Sequence, residues 1–415
     1  MSLGPSSAEV PPDFTQDAVQ SIVQLREAFA DVLSSLDGAP TESPTKLGRF
    51  LKIDTKLAWK VTNFVNEVDP FVSAHYVPRA AAIQLFLQAA AKGGAAKEKI
   101  EGVNDASVAF DAMVKRHGGN RGSVERMFAG HLSGKSAKIL REHRRNAYLA
   151  GSVIWGIQTK ALTHGVVIMP SEDPALLDVA TLKGFHELCT IRPDVSWRVH
   201  RMHAVNTTDG LRTPRNRQAL DLEEGADDDS GPAWLREFSS QPLPTCHRSI
   251  APDGTTVYQL APRTVGNTGT INFFTGERVT GMTHRYGNGT DRFSLTLLAN
   301  GSTPTELFVF DVWIHRSVEL PDPRFKLLGG LFIRSVAEAV DSDYLPTTEE
   351  IEEYAPEDAA PELREVPDWG PAVRWSFERM GQDIREFRQL RLRVPYLPIP
   401  TLPGIAFDLP LPPDA

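Results

Sequence analysis

Near residue 160 the hydrophobic period of this chain changes, and that change limits the available folds more than any other feature. Before it, apolar residues recur at the three-and-four spacing of amphipathic helices. After it, β-branched and aromatic runs alternate with Asn and Gly turns, the pattern of short strands. With 415 residues the chain is too long for one ordinary core. It therefore reads as an α+β multidomain protein: all-α over residues 14–160, then a mostly antiparallel sheet with covering helices over residues 161–394.

The helical half opens on Asp13–Leu36, where Ile22, Leu25, Phe29, Val32 and Leu36 form a seam two heptads long. Such a seam suits the first helix of a bundle, and it also suits a dimerising helix. Further helices are expected at about Pro78–Ala91, Ser107–His117, Ser123–His131 and Ser136–Gln158, with Gly93-Gly94, Gly118-Gly119 and Gly134 as stops. Strands are expected at residues 162–169, Trp197–Val205, Thr255–Ala261, Gly269–Phe274, Arg292–Leu298, Thr305–Arg316 and Leu390–Tyr396. Leu307–Ile314 is apolar on both faces, which predicts a central strand covered on each side, with helices near Phe325–Ala339 and Arg374–Arg388 as the cover. Acidic residues 207–231 and 340–370 read as surface insertions, and residues 1–13 as a disordered leader without the basic and apolar blocks of a signal peptide. The Pro-rich tail, residues 395–415, is expected to lie extended on the surface.

The stretch Lys46–Val65 predicts two short helices joined by a tight turn, about Thr45–Lys52 and Thr55–Val65. Leu51, Ile53, Ala58 and Val61 make its buried set, Gly48 permits a close crossing, and Asp54 or Thr55 caps the second helix. The run Gly48-x-x-Leu51-Lys52-Ile53-Asp54-x-x-Leu57-Ala58-Trp59-x-Val61 resembles the helix-turn-helix of bacterial transcriptional regulators. The resemblance covers about twenty residues and departs at two of them. Lys52 stands where the turn glycine is usual, and Trp59 takes an outward position. It implies that Lys46 and Arg49 hold phosphates while Thr55, Lys56, Trp59, Lys60 and Asn63 face base edges. An ordinary pair of packed helices has the same spacing.

Charge bears on the partner. The net charge is −9, yet residues 1–160 hold 20 Lys and Arg against 16 Asp and Glu. Within residues 112–146 the basic excess includes Lys115, Arg116, Arg121, Arg126, Lys138, Arg141, Arg144 and Arg145, with Glu125 and Glu142 as the acids. Such a tract attracts a polyanion through counterion release; it is also a common solvated helical face. Duplex DNA is the expected macromolecular partner, with Arg121, Arg126, Lys138, Arg141, Arg144 and Arg145 adding phosphate contacts, a small-molecule effector for the second half, and a homodimer to match a palindromic operator. No apolar run is long enough to span a bilayer, and two cysteines, Cys189 and Cys246, make no disulfide framework, so a cytoplasmic setting is expected.

Other chemistry is weaker. Ala129–Ser136 approximates a phosphate loop but lacks its first glycine and follows a helical pattern instead of a strand. His186 with Cys189, His200 with His203, and Cys246 with His247 fall short of three converging zinc ligands. No cofactor, metal or catalytic set is therefore expected. Asp311, Trp313 and His315 share one strand face and are the candidate ligand-pocket residues, with a polar sheet rim as the alternative. A structural or protein-interaction role, or an enzyme built on the second half's sheet, are the rival functions.

Overall fold

A computed structural model describes residues 13–132, 137–202, 205–207, 210–212, 217–221, 232–252, 255–287, 294–329 and 339–412. The chain forms two compact units, one ending at Leu140 and the other beginning at Arg141. The architecture is α+β, as the change of period predicts, although the division falls twenty residues before it.

The first unit contains α1 (Phe14–Ser34), α2 (Pro44–Leu51), α3 (Thr55–Asn66), α4 (Pro70–Ala74), α5 (Ala80–Lys92), α6 (Lys97–Gly118) and α7 (Arg121–Leu132). Asp13 starts α1 by accepting from Gln16 N at 3.3 Å. Ile22, Leu25, Phe29 and Val32 are fully buried in the same core as Val103 and Phe110 of α6. Phe29 stacks on Phe86 at 5.0 Å and meets Phe64 edge-on at 5.5 Å. The α1 seam is thus spent inside the bundle. Asp17 ties α1 to α6 through Arg116 and His117, and Lys99 reaches Asp31 at 2.5 Å.

Helix α8 (Ala137–Trp155), which belongs to the second unit from Arg141 onward, runs into β1 (Ile157–Pro170) through Gly156. Gly156 sits at φ +73°, where a Cβ would also approach Val195 to 2.8 Å, so only glycine makes this pivot without strain. β2 (Leu176–Thr190) returns antiparallel to β1. There follow β3 (Trp197–Met202), β4 (Val205–Thr207), β5 (Gly210–Arg212), β6 (Arg217–Ala219), β7 (Cys246–Ile250), β8 (Thr256–Leu260), β9 (Ile271–His284), β10 (Ser294–Leu298), β11 (Thr305–His315), β12 (Arg324–Gly329), β13 (Ile351–Tyr354), α9 (Trp369–Arg379), β14 (Phe387–Pro395) and β15 (Thr401–Asp408). The main sheet has the order β13-β14-β11-β1-β2-β9-β6, with β1 and β11 parallel and the other described pairs antiparallel.

β11 is central and buried on both faces, as its apolar run predicts. Val309 and Trp313 pack with Trp369, Val373 and Phe377 of α9. Phe308, Phe310, Val312 and Ile314 face the other way. There the cover comes from two small sheets, β3-β8-β7 and β10-β15-β12, through Val199, Leu260, Leu297, Leu327, Ile405 and Phe407.

Several expectations are corrected. The helix expected near Phe325–Ala339 begins as strand β12, and residues 330–338 lie outside the described residues. α9 ends at Arg379 instead of Arg388 because Phe387 already belongs to β14. The Pro-rich tail is no surface strap: Thr401–Asp408 is the middle strand of β10-β15-β12, with Ile405, Ala406 and Phe407 fully buried. Pro403 fits there because a strand proline still offers its carbonyl, which accepts from Ala299 N at 2.9 Å. Residues 340–370 are not a loose insertion either, since β13 pairs with β14 and Leu363, Val366 and Trp369 enter the core. Of residues 207–231, those numbered 208–209, 213–216 and 222–231 lie outside the described residues, as do 1–12 and 133–136. Among the described residues no helix is long and apolar enough to cross a membrane.

Candidate functional site

The helix pair forms from local signals. Ser43 accepts from Lys46 N at 3.4 Å and Pro44 fills the first turn of α2, where a missing N–H costs nothing. Lys52 then adopts the left-handed conformation, φ 55°, at which glycine is usual. Ile53 N closes the turn onto Gly48 O at 3.0 Å, and Asp54 caps α3 by accepting from Lys56 N at 2.8 Å. A Cβ on Gly48 would lie 3.3 Å from Ile53 O and 3.4 Å from Ala58 Cβ, the close crossing expected of this position. Leu51, Ala58 and Val61 are buried and Ile53 packs against them. At the far end Arg26 donates to Glu67 O at 2.6 Å and Val68 O at 2.9 Å, just past the C-terminus of α3.

Lys46, Arg49, Thr55, Lys56 and Trp59 are exposed, while Lys60 and Asn63 are half-buried. Trp59 keeps 46% of its surface in solvent and rests edge-on against Tyr76 at 5.3 Å. Asn63 Nδ2 donates to Trp59 O at 2.7 Å, so its amide is engaged by its own helix.

The basic tract does not act as one surface. Arg121 donates to Pro78 O at 2.9 Å, to Val77 O, and to Glu125 at 3.0 Å, which makes it a strut between α7 and the segment before α5. Arg144 is buried, paired with Glu349 and donating to Pro346 O at 3.1 Å. These two guanidiniums hold the fold and are not offered to a phosphate. Arg126, Lys138, Arg141 and Arg145 are exposed, with Arg141 and Arg145 on α8 of the second unit. The approximate phosphate loop follows helix α7 directly, and its residues 133–136 lie outside the described set.

The strand face of Asp311, Trp313 and His315 holds packing instead of a cavity. Asp311 is fully buried and accepts from Arg391 Nε at 2.7 Å and Nη2 at 2.8 Å, from Trp369 Nε1 at 2.8 Å and from Gln389 Nε2 at 3.3 Å. Trp313 is fully buried beneath α9, and His315 contacts Ser317 and Glu386.

A cavity of about 340 Å³ lies on the opposite face of the main sheet. Its floor interrupts an otherwise apolar surface with polar residues in adjacent register: His164 of β1 beside Lys183 of β2, which pairs with Thr275 of β9, and Thr181 beside Glu277. Arg198, Val199 and His200 of β3 form one wall, and Leu298, Ala299, Asn300, Ser302 and Leu402 the rest. Lys183 Nζ donates to Val199 O at 3.0 Å and sits 4.8 Å from the Phe185 ring centroid. Glu277 is occupied by Arg217 and lies 3.6 Å from His200. Burial, then the Arg198 charge, pushes the Lys183 ammonium down to about 8. Burial also depresses His164 and His200 to about 3, the first helped by Lys183 and the second by Arg217, so both imidazoles are neutral. Among the described residues no carboxylate pairs with Lys183 or Arg198. The sequence pattern conceals this site, because residues on six strands and one loop converge only when the sheets stack. Of its members only His200 stands out beforehand, as a metal ligand with His203, which lies outside the described residues.

No protein-family model matches the chain, and no curated protein matches it in sequence.

Proposed function

We propose that this protein is a DNA-binding regulator in which α3 enters the major groove and the second unit senses a small molecule. The observation that carries the reading is the α2–turn–α3 geometry, with Gly48 at the crossing, Asp54 as cap, and Lys46, Arg49, Thr55, Lys56 and Trp59 exposed around it. Lys46 and Arg49 grip phosphates while Thr55, Lys56 and Lys60 meet base edges. Arg126, Lys138, Arg141 and Arg145 remain available for further phosphate contacts; Arg121 and Arg144 do not. The partner is duplex DNA, the setting is the cytoplasm, where the free thiols of Cys189 and Cys246 stay reduced, and a homodimer is the assembly that a palindromic operator favours. Because α1 has spent its seam internally, dimerisation falls to another surface.

The test is binding of the full chain to random duplex DNA across a salt series. Affinity is expected to fall linearly in log salt, Lys46→Gln with Arg49→Gln should flatten that slope by about two phosphate contacts, and Lys56→Glu with Lys60→Glu should weaken binding by opposing the groove. A slope and an affinity unchanged by these substitutions, in a protein that still folds, remove the groove helix from α3. The scaffold reading is the competitor, favoured by Trp59 resting on Tyr76 and by the engaged Asn63 amide. It predicts no DNA binding at low salt.

A further inference from the structure

We infer that the cavity of the second unit binds a small monocarboxylic acid, with the carboxylate between Lys183 and Arg198 and an apolar body against Val199, Leu298 and Leu402. The inference deepens the reading of this unit as the ligand-sensing part, and it rests on that reading only for the ligand's purpose.

The charge balance of the site leads to an anion. Lys183 stands on the floor of a sheet face whose neighbours are Leu162, Phe185 and Phe310, and its polar contact is one backbone carbonyl. An ammonium taken out of water without a counter-ion is costly, and a chain that retains one there has a use for it. Arg198 brings a second cation to the same cavity, exposed at its edge. The groups facing Lys183 from every packed element are His164 on β1, Glu277 on β9, Arg198 and His200 on β3, and Arg217 beyond Glu277 on β6. Both histidines are neutral and Glu277 is neutralised by Arg217, so among the described residues two positive charges remain uncompensated. Thr181, Thr275, Asn300 and Ser302 supply hydroxyl and amide donors.

The remaining lining selects among anions. Val199, Leu298, Ala299 and Leu402 present apolar surface that an inorganic anion leaves unused. A dianion would carry its second charge against that apolar wall. A single carboxylate on an aliphatic or aromatic body satisfies both walls. Its binding holds a proton on Lys183, so affinity falls as pH rises through about 8, where the empty site loses that proton.

The experiment is calorimetric titration of the full chain with butyrate, hexanoate and octanoate, with the matching amides and inorganic phosphate as controls, in the absence of DNA. Saturable binding by at least one acid at pH 7 is expected, about tenfold or more weaker for its amide and for Lys183→Met, and several-fold weaker at pH 9.5. Arg198→Gln, at an exposed position outside the packed core, should weaken binding several-fold even if Lys183→Met fails to fold. Equal binding of acid and amide, binding unaffected by Arg198→Gln or Lys183→Met, phosphate binding in place of the acids, or no binding by any acid would each overturn the proposal. DNA binding without carboxylate binding would remove the effector and keep the regulator. Carboxylate binding without DNA binding would do the reverse.

Discussion

Asp311 illustrates how a single residue's role depends on what its neighbours supply. On the strand pattern it lies on one face with Trp313 and His315, which suits a pocket wall or a polar rim; in the fold it is the buried anchor of β11. Both its oxygens are engaged, chiefly by the Arg391 guanidinium of β14 and the indole N–H of Trp369. Asp311→Ala strands Arg391, which is 5% exposed, as an unpaired interior charge, and is expected to cost about 3–5 kcal/mol in urea denaturation. Pairing it with Arg391→Met should restore much of that loss. A double variant no more stable than Asp311→Ala alone would mean that the hydrogen bonds to Trp369 and Gln389 carry the site. Lys183 is the complementary case, a charge on the other face of the same sheet that meets no carboxylate among the described residues. No residue-level signal separates the two, because each is one charged side chain in a strand.

Among the elements, helices and strands are each legible in part: α4 is not expected from the sequence, and the helix expected near Phe325–Ala339 begins as β12. The Asp54 cap and the spacing of the α1 seam are local properties, and each acts where the sequence places it. β2 was not anticipated as a strand. Thr181 and Lys183 occupy positions where an apolar residue would have completed the alternation, since they face the cavity and not the core. β15 was hidden by its prolines, which read as an extended tail, although its run of Ile405, Ala406 and Phe407 is buried between β10 and β12. Deleting the residues from Thr401 onward removes the middle strand of that sheet and part of the cavity wall at Leu402. The shortened chain is expected to lose the cooperative unfolding transition of the second unit, followed by circular dichroism during heating. Retention of wild-type melting would show that β15 is dispensable.

For the whole molecule, stability against acid follows from the two buried histidines. His164 and His200 titrate near 3 in the fold against 6.5 when free, so between those values the unfolded chain binds protons that the native one refuses. Stability is therefore fully present above pH 6.5 and falls as the pH drops below it, by about 1–3 kcal/mol per pH unit over the steep part. Asp17 and Asp178, held below the ordinary carboxylate range against their burial by hydrogen bonds, lose their contribution only in stronger acid. Denaturation midpoints that stay flat from pH 7 to 5 would mean that the cavity admits protons freely, and His200→Gln should lessen the slope if it does not. Capping, periodicity and a doubly apolar strand act over a few neighbouring residues, so the division into helical and strand-rich parts, the helix pair with its turn at Lys52 and the central place of β11 are all written locally in the chain. Which charges meet a partner and which face a cavity or water follows from the assembled fold. Arg121 and Arg144 became struts, Asp311 an anchor, and Lys183 and Arg198 cavity walls, because a charge's partners come from segments up to about two hundred residues distant and its energy depends on how much water they leave it.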